Sequence, residues 1–229
     1  MLDERAIAER LASVRGRIAD AARRPGRSAG DVTLVLASKT QPPEALAAAY
    51  RAGAREFGEN YVREAVRKRE ALASLTDIRW HLIGHLQTNK AKLAVRTFDV
   101  IQSLDSARLA DALWHAQKSV RVRALIEVNL GGEMTKSGIA PAEIEPLIGA
   151  ARDKVELAGL MTIPPATQDP QRARRYFAQL RELRDRLAGA TGLGLSELSM
   201  GMSDDFELAI EEGATIVRVG RAVFGERAR

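Results

Sequence analysis

The sequence predicts a single (β/α)₈ barrel, on three observations. Short apolar, β-branched runs alternate with stretches of helical period along nearly the whole chain; there are eight such runs within 229 residues; and no glycine-rich GxGxxG turn follows the first of them. Alternation of this kind implies parallel strands joined by crossover helices. An open doubly wound sheet shares the local pattern, but its dinucleotide-binding form carries the missing glycine turn. Eight units in about 200 residues is the lower end for a barrel.

The chain opens with Ile7, Leu11, Val14 and Ile18 at helical spacing, so a leading helix is expected from Asp3 to about Ala22. A turn at Pro25-Gly26-Arg27-Ser28 follows it. Strands are then predicted over 32–39 (VTLVLASK), 55–60 (REFGEN), 79–85 (RWHLIGH) and 98–105 (FDVIQSLD). Four more follow over 122–130, 155–163, 197–203 and 215–221. Between them lie the helical runs PPEALAAAYRAG, YVREAVRKREAL, Asn89 to Val95, SARLADALWHAQK, PAEIEPLIGAARD, PQRARRYFAQLRELRDRLAG and DDFELAIEEG. Gly53 and Gly213 stand where C-terminal caps belong. No linker or shift in composition marks a second domain, so residues 1–229 are expected to form one binding domain, with 1–27 as its leading helix and turn.

Composition narrows the function. The chain is 45% hydrophobic and 28% charged, as soluble globular proteins are. It has no cysteine, which excludes a disulfide framework, a thiol nucleophile and a thiolate metal site. The N-terminus carries acids and lacks the apolar core of a signal peptide. No apolar run approaches the roughly 20 residues of a membrane span. A cytoplasmic protein without membrane contact is the expectation. The net charge is +5 and the pI about 9.8. However, the basic residues interleave with acids, as in EAVRKREAL, which reads as a solvated helix face. Aromatics are only 4%, too few for a base-stacking platform, and nucleic acid is not expected as a partner.

In a barrel, active sites sit at the C-terminal ends of the strands, with phosphate often held after strands seven and eight. Those ends present Lys39, Asn60, His81 and His85, Asn129, Met161 with Thr162, Ser199 with Ser203, and Arg218 with Gly220. No carboxylate pair stands out. His81 and His85 are four residues apart, about 13 Å along a strand, and cannot share one zinc at about 2.1 Å per ligand; no metal site is expected. His81 reads equally as a hydrogen-bonded histidine packed in the barrel. Asp204, Asp205 and Glu207 read as acids of a helix's first turn. Ser203 has the place of an N-cap, but its hydroxyl beside a helix N-terminus also suits an anion. Gly220 lets backbone N–H groups approach a ligand. Lys39 either reaches out to water, or is partly desolvated, with an amine made nucleophilic by a lowered pKa. An amine opposite a phosphate cradle is what a pyridoxal phosphate site requires.

The segments ASKT (37–40), FGENYV (57–62), WHLIGHLQTNK (80–90), KSGI (136–139), GLMTIP (159–164), LSMGMSDDFELAI (198–210) and VRVGRAVFG (217–225) resemble the pyridoxal-phosphate homeostasis protein family, in the family's order and across nearly the whole chain. The resemblance implies a barrel like the N-terminal domain of alanine racemases, with pyridoxal 5′-phosphate as cofactor. It implies that Lys39 holds the cofactor as a Schiff base and that Asn60 and His81 line its ring; Met161, at a strand end, is a further expected cofactor-binding residue. Ser199, Ser203, Gly220 and the backbone of Arg221 match the phosphate-holding set. Arg218 matches the arginine facing the pyridine nitrogen, a cation that weakens the ring as an electron sink. Three functions compete: a carrier serving pyridoxal-phosphate-dependent client enzymes, an amino-acid racemase, and a basic RNA- or protein-binding module. Racemisation needs an acid/base on each face of the substrate. Alanine racemases take the second from a further domain of a partner subunit that this sequence does not show. A monomeric carrier with no catalytic residues is therefore the expectation. Lys136, in the loop after the fifth strand, reads first as an exposed loop lysine and second as a residue able to reach the mouth.

Overall fold

Eight parallel strands close into a barrel in sequence order, the last hydrogen-bonded to the first. The computed structural model describes residues 3–117, 120–133 and 137–225. Helix α1 (Glu4–Arg23) leads into β1 (Thr33–Ala37), α2 (Pro43–Arg51), β2 (Glu56–Glu59), α3 (Val62–Ala71) and β3 (Arg79–Leu82). The chain continues through α4 (Ala91–Thr97), β4 (Val100–Leu104), α5 (Ala107–Ala116), β5 (Arg123–Glu127), α6 (Ile144–Ala151) and β6 (Glu156–Met161). It ends with α7 (Pro170–Thr191), β7 (Glu197–Ser199), α8 (Phe206–Glu211), β8 (Ile216–Val219) and α9 (Arg221–Phe224). All eight predicted strands form, and closure of the sheet decides for the barrel over the open alternative.

Local chemistry sets the boundaries. The Asp3 carboxylate accepts from Ala6 N and starts α1. Asp169 does the same for α7 through Gln171 N, and Pro170 occupies the first helical position, where its missing N–H costs nothing. Gly53 (φ 89°) and Gly213 (φ 102°) end α2 and α8 as expected. Several strands are shorter than the sequence reading, β3 ending at Leu82, β5 at Glu127 and β7 at Ser199, and two further features differ from it. The run from Asn89 begins as a 3₁₀ turn, Thr88–Lys90, before α4. A further short helix, α9, follows β8; at four residues it is too brief for periodicity to reveal.

The barrel wall divides the core in two. Most buried side chains lie between sheet and helices, where Ile7, Leu11, Val14 and Ile18 of α1 pack toward α2, α8 and α9. Each contributes about 1.5–3 kcal/mol by burial. Inside the barrel, among the described residues, Val35, Val100, Leu125, Ala158, Met161 and Ile216 form a separate apolar cluster. Polar side chains occupy much of the remaining interior, among them His81, Gln102, Ser199 and Arg218. Among the described residues, no helix is long and apolar enough to cross a membrane.

Candidate functional site

A cavity of about 540 Å³ opens at the C-terminal ends of the strands. Lys39, Asn60, Ser203, Arg218, Gly220 and Arg221 line it, with Ile83, Ile163 and Met202 among its apolar walls. Six of the nine residues singled out in the sequence therefore share one cavity. His81, Met161 and Ser199 are not on its wall. Met161 belongs to the apolar cluster inside the barrel. His81 and Ser199 are buried in the interior hydrogen-bond network, with Ser199 directly behind Arg218. The family resemblance placed His81 at the cofactor ring and Ser199 with the phosphate, whereas the inward pleat of β3, β6 and β7 turns these side chains and Met161 into the barrel. Lys136 lies outside the described residues.

Lys39 is presented by a strained turn. The Gln41 N–H donates to Ser38 O at 3.0 Å, with Lys39 and Thr40 between them. Thr40 has φ 66°, the left-handed region that a β-branched residue rarely enters, at a cost on the order of 1–3 kcal/mol. A buried ionic cluster holds the turn in place. The Thr40 N–H donates to Glu64 Oε1 at 2.6 Å. Lys68 Nζ then reaches Glu64 Oε1 at 2.7 Å, Glu59 Oε1 at 2.7 Å and Ser38 O at 2.7 Å. An ammonium has three donors, and all three are used. Ser38 Oγ donates to the same Glu59 oxygen at 2.6 Å. Burial pushes the Glu59 carboxyl above its ordinary range, while the Lys68 and Ser38 donors pull it back. This corrects the reading of EAVRKREAL as a solvated face: Lys68 is only 4% exposed.

Asn60 follows β2, and its Oδ1 is buried without a hydrogen-bond partner. Its backbone lies against Gly84: a Cβ there would come within 2.5 Å of Asn60 O and 2.8 Å of Asn60 Cα. Gly84→Ala is expected to push Asn60 out of place and weaken cofactor retention by roughly tenfold, since small displacements of positioned groups cost this much or more. Equilibrium dialysis against pyridoxal phosphate, with circular dichroism to confirm folding, measures it.

The loops after β7 and β8 meet at the same cavity. Gly220 passes so near β1 that a Cβ would stand 2.8 Å from Ala37 O, so a side chain would displace the cavity's backbone wall. Ser203 is not the N-cap of α8. That place falls to Asp205, whose Oδ1 accepts from Met202 N at 2.7 Å. The Ser203 hydroxyl instead accepts from Ala222 N at 3.4 Å, tying the two loops together. Arg221 pairs with Asp204.

Arg218 is almost fully buried and donates to Ser199 Oγ at 2.5 Å and Thr162 O at 2.8 Å. Burial pushes its pKa down to about 10, with Glu127 and Asp205 opposing, so the guanidinium stays cationic at neutral pH. Glu127 ends β5 with Oε2 buried and unpartnered. Burial and the Asp105 charge raise its pKa from 4.5 to about 7, against the pull of Arg218. Between these values the folded protein holds a proton that the unfolded chain has released. Glu127 therefore favours folding at low pH, and that contribution is lost as pH rises through about 7. The span corresponds to about 3 kcal/mol. Glu127→Gln is expected to flatten stability between about pH 5 and pH 7.5, measured by urea unfolding at both.

The two histidines part company: His85 is half exposed, with Nδ1 3.0 Å from Asp105 Oδ2. Among the described residues no group of three His, Cys, Asp or Glu is placed to hold a metal ion. The donor set suits pyridoxal phosphate. It offers an amine for the aldehyde, a cation for the pyridine nitrogen, and a hydroxyl with backbone N–H groups for the phosphate. The volume falls in the usual range for small-molecule sites.

Comparison with known proteins agrees. The family model for the alanine racemase N-terminal domain matches residues 11–228. The pyridoxal phosphate homeostasis protein of Aquifex aeolicus is 47% identical over 223 residues, covering 96% of this chain and 97% of that protein. Its Escherichia coli namesake is 40% identical over 233 residues, with coverage of 96% and 97%. PipY of Synechococcus elongatus, solved with pyridoxal phosphate bound, is 39% identical with a TM-score of 0.85, covering 96% of this chain and all 100% of that one. Alanine racemase from Corynebacterium glutamicum, at 20% identity and TM-score 0.73, shares the fold; the match covers 100% of this chain and 63% of the racemase. Barrel, cavity and relatives converge: the chain belongs to the alanine racemase N-terminal domain family, among the pyridoxal phosphate homeostasis proteins.

Proposed function

We propose that the chain binds pyridoxal 5′-phosphate, holds its aldehyde as a Schiff base on Lys39 Nζ, and serves intracellular homeostasis of the cofactor as a carrier or buffer. The observation that carries this is the single cavity gathering Lys39, Arg218 and the Ser203, Gly220 and Arg221 backbone turns. When bound, pyridoxal phosphate supplies an electrophilic carbon and an electron-accepting ring. Around it, Lys39 provides the amine, Arg218 a permanent positive charge toward the ring nitrogen, and the β7 and β8 loops a hydroxyl and N–H donors for phosphate. Asn60 offers an unused acceptor beside the ring. His81, Ser199 and Met161 act from inside the barrel.

Carriage is favoured over turnover by what the wall lacks. Racemisation needs a second acid/base facing Lys39. Among the described residues of the cavity wall there is neither a tyrosine nor a histidine, and the one carboxylate there, Asp204, is paired with Arg221. Tyr61 is 63% exposed and lies off the wall. The relatives' names point the same way. In this reading the protein is a cytoplasmic monomer, residues 1–229 act as one binding domain, and pyridoxal-phosphate-dependent enzymes are its clients.

Borohydride reduction of the protein loaded with pyridoxal phosphate, followed by peptide mass mapping, tests the reading. A pyridoxyl group on Lys39 supports it, and a protein that takes up no pyridoxal phosphate refutes it. Turnover of an L-amino acid to its D-isomer at ordinary enzyme rates, about 1 per second or faster, would refute the carrier role alone.

A further inference from the structure

A line of hydrogen bonds crosses the barrel interior from the cavity to the opposite end. Arg218 Nη1 donates to Ser199 Oγ at 2.5 Å, and Ser199 Oγ donates to Gln102 Oε1 at 2.6 Å. Gln102 Nε2 lies 2.9 Å from His81 Nδ1, and His81 Nε2 lies 2.5 Å from Glu56 Oε2. The five residues come from β8, β7, β4, β3 and β2. Glu56, the first residue of β2, also borders a second cavity of about 450 Å³ at the N-terminal ends of the strands, with Thr33, Arg15 and Arg55. The line thus joins the two ends of the barrel.

Its polarity has one solution. A guanidinium only donates, so Ser199 Oγ accepts from Arg218 and has one proton left to give. That proton can go only to an amide oxygen, which fixes how the Gln102 amide lies. The Gln102 amine then faces His81 Nδ1, which must be bare to accept. The remaining ring proton sits on Nε2, aimed at the Glu56 carboxylate. Turning the Gln102 amide over would place its amine on Ser199 and leave the Ser199 proton without an acceptor, deep in the interior. An unpaired buried donor costs about 1–3 kcal/mol. Each residue therefore sets the orientation of the next, and the last oriented group is the Arg218 guanidinium in the cavity wall.

From this geometry we infer that Glu56, His81, Gln102 and Ser199 are positioning residues: they hold the Arg218 guanidinium in a fixed aim on the cofactor ring, so that a change at the far end of the barrel is read in the bound cofactor. The inference rests on the proposed pyridoxal phosphate site, but its first consequence needs no cofactor. His81 should be the tautomer with the proton on Nε2 in the protein as purified.

Two-dimensional ¹H–¹⁵N NMR of the His81 ring tests that directly. The expected pattern is an unprotonated Nδ1 and a protonated Nε2 at neutral pH; the opposite tautomer overturns the inference. Three variants then test the coupling. Gln102→Leu breaks the line in the middle, and Glu56→Leu removes its terminal acceptor. Glu56→Gln keeps an acceptor oxygen for His81 Nε2 and should rescue. The two leucine variants should mix the His81 tautomers, shift the absorption band of the bound cofactor and weaken its retention roughly three- to tenfold, while Glu56→Gln stays close to wild type. Glu56 lies at the barrel's end, so its leucine variant keeps the test open if Gln102→Leu fails to fold. Unchanged band and affinity in a folded leucine variant overturn the inference and leave the cofactor site standing. A wild-type protein that does not take up pyridoxal phosphate overturns both.

Discussion

The Lys39→Ala protein, incubated with pyridoxal phosphate and reduced with borohydride, is expected to carry no pyridoxyl group at position 39 and to lose the absorption band of the covalently held cofactor. Retention should drop by about two orders of magnitude, equivalent to roughly 3 kcal/mol. The loss should be incomplete because most of the cavity survives the change. Arg218 stays held by its hydrogen bonds to Ser199 Oγ and Thr162 O, and the Ser203–Ala222 contact still joins the two loops. Lys39→Arg is the informative companion. It keeps a cation on the strained turn but offers no amine that can lose its proton and attack an aldehyde. It should therefore fold as wild type does and fail in the same way as Lys39→Ala. Equal retention by wild type and both variants, measured by dialysis and absorbance, would show that the aldehyde is not held at Lys39.

The largest effect on stability is expected at Lys68, a residue with no place on the cavity wall. Lys68→Met takes three donors from Glu59, Glu64 and Ser38 O in one step. Glu59 is then a fully buried carboxylate with only the Ser38 hydroxyl to face it. Removing one partner of a buried ion pair costs about 3–5 kcal/mol, mostly because the other charge stays behind. Urea unfolding should show this as a lowered midpoint at unchanged slope. The double variant Lys68→Met/Glu59→Gln, which removes the charge from the fully buried Glu59 position, should recover part of the loss. Cofactor retention should fall with stability in the single variant, because the same cluster holds Thr40 at φ 66° and so aims Lys39. A variant with wild-type stability would mean that the cluster is more hydrated than its burial implies.

These two lysines show where the sequence was legible. Lys39 was visible because it terminates an apolar run: a charged residue at the tip of VTLVLASKT has to be explained. Lys68 was invisible because EAVRKREAL has the composition of a solvated helix, and nothing local marks one of its cations as buried. Its partner Glu59 comes from the preceding strand and its third acceptor, Ser38 O, from the one before that. The histidines separate in the same way. Strand spacing argued against a shared metal for His81 and His85, but β3 ends at Leu82 and His85 lies beyond it, paired with Asp105. That His81 faces Gln102 and Glu56 inside the barrel, rather than the cavity, depends on the pleat and on strand neighbours 21 and 25 residues away. Gln102 itself gave no signal at all: within VIQSL it is one of two polar residues in a strand with all five residues buried.

By itself, then, the sequence determined the alternation of eight strands and helices and the strand ends where a ligand would meet polar groups, and favoured the barrel that pairing of β8 with β1 closed. Periodicity and strand-end residue types are local properties, readable one element at a time. Only the tertiary structure decided which of those polar groups face the cavity and which turn inward. It also decided that a lysine on α3 supports the turn bearing Lys39, and that a glutamine on β4 lies against the His81 ring. Those outcomes depend on register between strands and on which donors and acceptors are buried together. A buried polar group must find its partner wherever closure of the sheet brings one, whatever its distance along the chain.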